Sequence, residues 1–172
     1  MSELEVSERE GNYRFDGEGR ALYYREYRAK HNEVKDRLGI GELVPDDLQI
    51  LYVGNNTLLP TSFDLRKADR EAMGKGLLVL PGKSAHIAFS EDNDVICGAI
   101  FDRSCRRTDH AYKISVKELT ALGFLPFYAP TPNMPLHVRV IHETHLKDPE
   151  AWTIPFKAKV ALVEAFQGHR IC

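Results

Sequence analysis

The densest run of chemistry-bearing side chains lies between residues 137 and 148: His137, Arg139, His142, Glu143, His145 and Asp148. Imidazoles and carboxylates are the ligands that Zn²⁺ or another divalent metal takes. Read as an extended strand, the segment sets His137, Arg139, Glu143 and His145 on one face, because alternate side chains share a side. That set suits a phosphate or carboxylate group, with Arg139 as the fork-shaped donor and a histidine as proton carrier. These four are the candidate catalytic residues of a small hydrolase or nuclease. His86 or Asp148 would assist, and a divalent metal is the cofactor such a site would call for. The spacing is not that of the helical H-E-x-x-H peptidase motif, because Glu143 stands between His142 and His145. His142-Glu143-Thr144 is one H-x-T element of the kind two-histidine phosphoesterases carry in pairs, and the chain has no second.

A second polar run is Asp102-Arg103-Ser104-Cys105-Arg106-Arg107-Thr108-Asp109-His110. Three arginines beside a cysteine favour its thiolate, and His110 would be the base if the loop folds back. The same arginines suit a phosphate or carboxylate. Arg103, Arg106, Arg107 and His110 are therefore the candidate binding residues, and the arginines are the local basic patch through which nucleic acid would be held. For both runs the simpler reading is a solvated polar surface.

Bulk properties narrow the field. The chain has 172 residues, with 23 Lys and Arg against 25 Asp and Glu, a formal charge of −2. Coating of nucleic acid needs a strong cationic excess to release counterions, and there is none globally. No apolar run approaches the ~20 residues that a membrane-spanning helix requires. The acidic start (MSELEVSERE) lacks the apolar core of an export signal, so a cytoplasmic location is expected. Cys97, Cys105 and Cys172 are few and odd in number, which reads as reduced thiols.

The elements that must position these groups follow from periodicity. Residues 1–18 read as an acidic, partly disordered tail and 19–172 as a single α+β domain. A helix is expected over 20–38, where Tyr24, Tyr27, His31, Val34 and Leu38 recur at helical spacing, closed by Gly39. Strands are expected over 48–53, 77–80, 84–90, 95–102 and 111–114, with a helix at about 63–73. Val95–Phe101 is apolar on both parities and reads as the central strand, with Cys97 an inert core thiol. Ser115 and Glu118 form an S-x-x-E capping box for a helix over 116–122 ending at Gly123. Phe124–Pro135, with four prolines, is expected to run extended along the surface. Leu136–Thr144 reads as a strand, and Asp148-Pro149 as the start of a helical turn. Phe156–Phe166 reads as a strand from its alternation, with helix the competing reading from its Ala, Lys and Glu content. The fold expected is α+β: a mostly antiparallel twisted sheet or partial barrel of about six or seven strands, the N-terminal helix packed on one face.

With no complete reactive motif in the sequence, the leading functional expectation is a binding module acting on a protein partner. Immunity, inhibitor, regulatory or accessory factors of a bacterium or mobile element are of this kind. The hydrolase or nuclease is the alternative, and a nucleic-acid binder the second alternative.

Overall fold

In a computed structural model of the chain, the residues described are 17–55, 58–63, 71, 75, 82–104, 109–148 and 154–172. The acidic segment 1–16, most of the expected 63–73 helix, the expected 77–80 strand, Cys105, Arg106, Arg107 and Trp152 lie outside them.

The elements run α1 (Gly17–Arg37), β1 (Gln49–Asn55), a 3-10 turn (Pro60–Phe63), β2 (Lys83–Ile87), α2 (Asn93–Ser104), β3 (Asp109–Ser115), α3 (Val116–Ala121), β4 (Phe124–Tyr128), β5 (His137–His142), α4 (Glu143–Lys147) and α5 (Phe156–Gly168). Five strands form one sheet in the order β3-β1-β2-β5-β4. Every pairing is antiparallel. The sheet is open, not a barrel, and among the described residues it has five strands instead of six or seven.

Alternation along β1 sends its side chains to two different layers. Tyr52 goes to the layer under α5, where its ring lies 5.5 Å from Phe63 and 5.4 Å from Phe166. Leu51 and Val53 go to the other layer, where Tyr23 and Tyr27 of α1 and Ala99 and Ile100 of α2 meet them around a cavity. Apolar burial on both faces is the main stabilising term for such a sheet.

Both sheet edges are covered. Outside β4, Val44 N–H donates to Pro126 O and Tyr128 N–H to Glu42 O. Pro126 therefore turns its missing donor towards the edge, which is where a strand tolerates proline. Outside β3, Ile171 N–H donates to Ala111 O and Lys113 N–H to His169 O, so the chain end lies along the edge strand. Covering an edge in this way removes a row of unpaired groups that would otherwise template association.

Four expectations are corrected. The segment read as the central strand is α2, and Asp92 Oδ1 accepts from Asp94 N–H at its start. Val95, Ile96, Cys97, Ala99 and Ile100 are all buried. A short run apolar all round has no period with which to separate a buried strand from a buried helix. Phe156–Phe166 is helical, with Leu162, Val163 and Phe166 as its buried stripe. Tyr23 and Val34 of α1 and Leu38 just after it are buried, while Tyr24 is 55% exposed, so the stripe is rotated by one position at its start. Lastly, Cys97 and Cys172 form a disulfide across 75 residues, with Cα atoms 6.0 Å apart, which pins the chain end to α2. The expectation of reduced thiols, and with it one support for a cytoplasmic location, does not survive.

Other expectations hold. Ser115 Oγ accepts from Glu118 N–H and caps α3, and Gly123 follows it with φ +87°. Phe124–Pro135, expected to run extended along the surface, is extended over Phe124–Tyr128, but there it is a sheet strand paired with β5 and half buried instead of a surface segment. No helix among the described residues is long and apolar enough to cross a membrane.

Candidate functional site

The strand that begins at His137 ends at His142, and this decides the fate of the polar run. His142 has extended backbone and acts as N-cap: its Nδ1 accepts from Thr144 N–H at 3.2 Å, and α4 starts at Glu143. Beyond that point the side-chain period is 3.6 and not 2. Glu143 is exposed, and His145 is fully buried. His137 and Arg139 stay on the strand, so the four residues expected to share one face do not. Asp148 is the C-cap of α4, and the helical turn expected after Asp148-Pro149 lies outside the described residues.

The groups that do meet His137 come from β2. His86 and His137 are register partners, and their rings stand edge to face with centroids 5.7 Å apart. Ser84 is the register partner of Arg139 and reaches His137 on the diagonal, Oγ to Nε2 at 3.0 Å. The other ring nitrogen, Nδ1, lies 2.9 Å from the carbonyl oxygen of Ala129. A carbonyl only accepts, so Nδ1 carries the hydrogen and Nε2 is left to accept from the serine hydroxyl. His137 is buried and Ser84 is exposed. Burial pushes the His137 pKa below its ordinary value, the Arg139 charge lowers it further and the Ala129 carbonyl opposes both. The imidazole is therefore neutral at pH 7.

Beside this group lies a cavity of about 260 Å³ between the sheet, α1, α2 and the 129–136 connection. Its walls are mostly apolar: Tyr23 and Phe89 meet edge to face at 5.1 Å, and Leu51, Ile100 and Leu136 add aliphatic surface. His86 and Asn133 are its polar lining residues. Glu26 of α1 accepts a hydrogen bond from Ser90 Oγ and ties the roof to the segment after β2.

The remaining candidates stand apart. His110 is buried on β3, with Nδ1 3.0 Å from Cys172 O. Two strands separate it from β5, so it does not join His137. Arg103 falls in the last turn of α2, while Arg106 and Arg107 lie outside the described residues. His145 has neither ring nitrogen hydrogen-bonded among the described residues. Among those residues no group of three or more His, Cys, Asp or Glu is arranged to hold a metal ion.

Ser84 and the cavity are the features that sequence reasoning missed. Parity along β2 puts Ser84 on the face of His86, but the β2–β5 pairing that brings His137 across spans 53 residues and leaves no local signal. Comparison with protein-family models, characterised proteins and solved structures finds no match to this chain.

Proposed function

We propose that the protein is a binding module that receives an apolar anchor side chain of a protein partner in the cavity under α1. The observation that carries this reading is an apolar cavity with an apolar mouth. Val53 and Met134 line it and are 38% and 42% exposed, and Tyr24, its ring 5.1 Å from that of Tyr23, is 55% exposed. Exposed apolar side chains grouped around a concavity mark interaction sites. An aromatic or branched anchor filling a desolvated pocket is the usual centre of a protein interface. The size fits as well: apolar cavities of about 150 Å³ already take up benzene. His86 and Asn133 supply the few polar groups that fix orientation in such pockets.

The test uses indole as a probe of the anchor. Titration of the full chain, followed by NMR, is expected to give saturable shifts at Tyr23, Phe89 and Ile100. Ala99→Phe, which fills the cavity from α2, is expected to abolish them. Shifts that never saturate, or that persist unchanged in Ala99→Phe, would refute the reading. A partner identified later is expected to place a Trp, Phe or Leu at the centre of its interface.

A further inference from the structure

The cavity leaves one arrangement unused. Ser84, His137 and the Ala129 carbonyl form a hydrogen-bonded relay, Oγ to Nε2 at 3.0 Å and Nδ1 to O at 2.9 Å. A nucleophile, a base within hydrogen-bond reach and a third group orienting the base are the three parts of an activated serine. The nucleophile is exposed while the base is buried, so a reagent can reach the oxygen without disturbing the imidazole. Arg139 is the register partner of Ser84, so the two side chains leave the sheet on the same face, and a cation on that face is of the sign that an oxyanion needs. We infer that Ser84 is a reactive nucleophile, with His137 as its general base, that cleaves small esters.

In this reaction the Ser84 Oγ–H bond breaks as Oγ bonds to the acyl carbon, and the proton passes to His137 Nε2. The bond from the acyl carbon to the leaving oxygen then breaks, and the departing alkoxide takes that proton and leaves as an alcohol. Water attacks the acyl-serine next and gives a proton to His137. The serine oxygen departs, recovers the proton and frees a carboxylic acid. No oxidant, reductant or metal is consumed. His86 lies two residues from Ser84 on the same face, about 6.6 Å along the strand, and lines the cavity. The favoured substrates are therefore esters whose apolar group can reach that space. A carbonyl orients the imidazole but adds no negative charge to stabilise imidazolium, so activated aryl esters are preferred over amides. The reactivity of Ser84 towards small reagents is independent of whether the cavity binds a partner.

The full chain is treated with a small fluorophosphonate, and modified peptides are located by mass spectrometry. A single adduct at Ser84 is expected. It is lost in Ser84→Ala, formed about 100-fold more slowly in His137→Asn, and unaffected in Ser115→Ala. Hydrolysis of p-nitrophenyl acetate should follow the same order. Because His137→Asn disturbs a buried position, Ser84→Cys is the second variant. Its new thiol should react with iodoacetamide at pH 6 about tenfold faster than glutathione. No adduct at Ser84 overturns the inference, as does equal labelling in a folded His137→Asn. If His137→Asn does not fold, a Ser84→Cys thiol no faster than glutathione overturns it.

Discussion

His145 offers the sharpest test of the packing described above. It is fully buried, and neither ring nitrogen has a hydrogen-bond partner among the described residues. A neutral imidazole carries one donor and one acceptor, and leaving each unsatisfied costs about 1–3 kcal/mol. Replacement by leucine, of similar bulk, removes both groups; the imperfect fit of a new side-chain shape gives back about 1–1.5 kcal/mol. The expected result is a His145→Leu protein more stable by about 0.5–5 kcal/mol at pH 7.5, read by urea unfolding. Protonation adds a second signature. Burial, and then the charge of nearby His142, hold the His145 pKa below its ordinary value in the folded state. The unfolded chain therefore binds more protons, so this stability is complete above about pH 6.5 and is lost as pH falls from there towards the folded pKa. At pH 5.5 a histidine kept neutral costs at most about 1.4 kcal/mol relative to high pH. The advantage of His145→Leu should widen by up to that amount between pH 7.5 and 5.5. A variant less stable than the parent at pH 7.5, with a gap that does not change with pH, would show that the imidazole has a partner and would refute the reasoning.

The other predictions are shorter. The pKa values of His137 and His142 are also lowered, chiefly by burial; by the same sign the whole protein should lose stability below about pH 6.5, seen as a falling melting temperature between pH 7 and 5. Closing the 75-residue separation between Cys97 and Cys172 restrains the unfolded chain, so Cys97→Ala should cost about 2–4 kcal/mol. Only one of the three cysteines should react with a thiol reagent in unfolded, unreduced protein. Ser115→Ala removes the cap of α3 and should lower urea-unfolding stability by about 1 kcal/mol. Gly82→Ala would set a Cβ 2.9 Å from Val140 O and 2.9 Å from Ile141 Cγ2. That overpacking should cost about 1–3 kcal/mol in thermal unfolding.

What the sequence revealed was local, and what it hid was long-range or lacked a period. The capping box at Ser115 was legible because both partners lie within four residues, and the structure uses the hydroxyl as expected. β1 was legible because Asn55 closes a short apolar run. The run Val95–Ile100 was not, since apolar residues on all sides fit a buried helix as well as a buried strand. The helix at Phe156–Gly168 was hidden by a chance alternation, because Phe156 is 67% exposed and contributes nothing to the buried stripe. For the site, His137 and Arg139 were legible as chemistry, and His86 as a residue that would assist them. Ser84 was not, because only the sheet order joins β2 to β5.

The histidines of the polar run show why clustering in sequence is weak evidence for a site. His137, His142 and His145 are all buried and share a direction of pKa shift, yet each has a different fate. His137 satisfies both nitrogens, through Ala129 and Ser84, and is held in one tautomer. His142 spends Nδ1 on the first turn of α4 while its ring packs against Phe124 at 5.0 Å. His145 satisfies neither nitrogen among the described residues. The change of backbone at 142 causes the division, by ending the two-residue period that would have kept residues 143 and 145 beside 139. A base needs an oriented ring and a neighbour able to give up a proton: His142 has its hydroxyl neighbour two residues along the chain, Nδ1 to Thr144 Oγ1 at 2.9 Å, whereas His137 draws its partners from residues 8 and 53 positions away. The hydrogen-bonded group around His137 is therefore assembled across the sheet from β2 and the 129–136 connection, and not from its neighbours in the polar run.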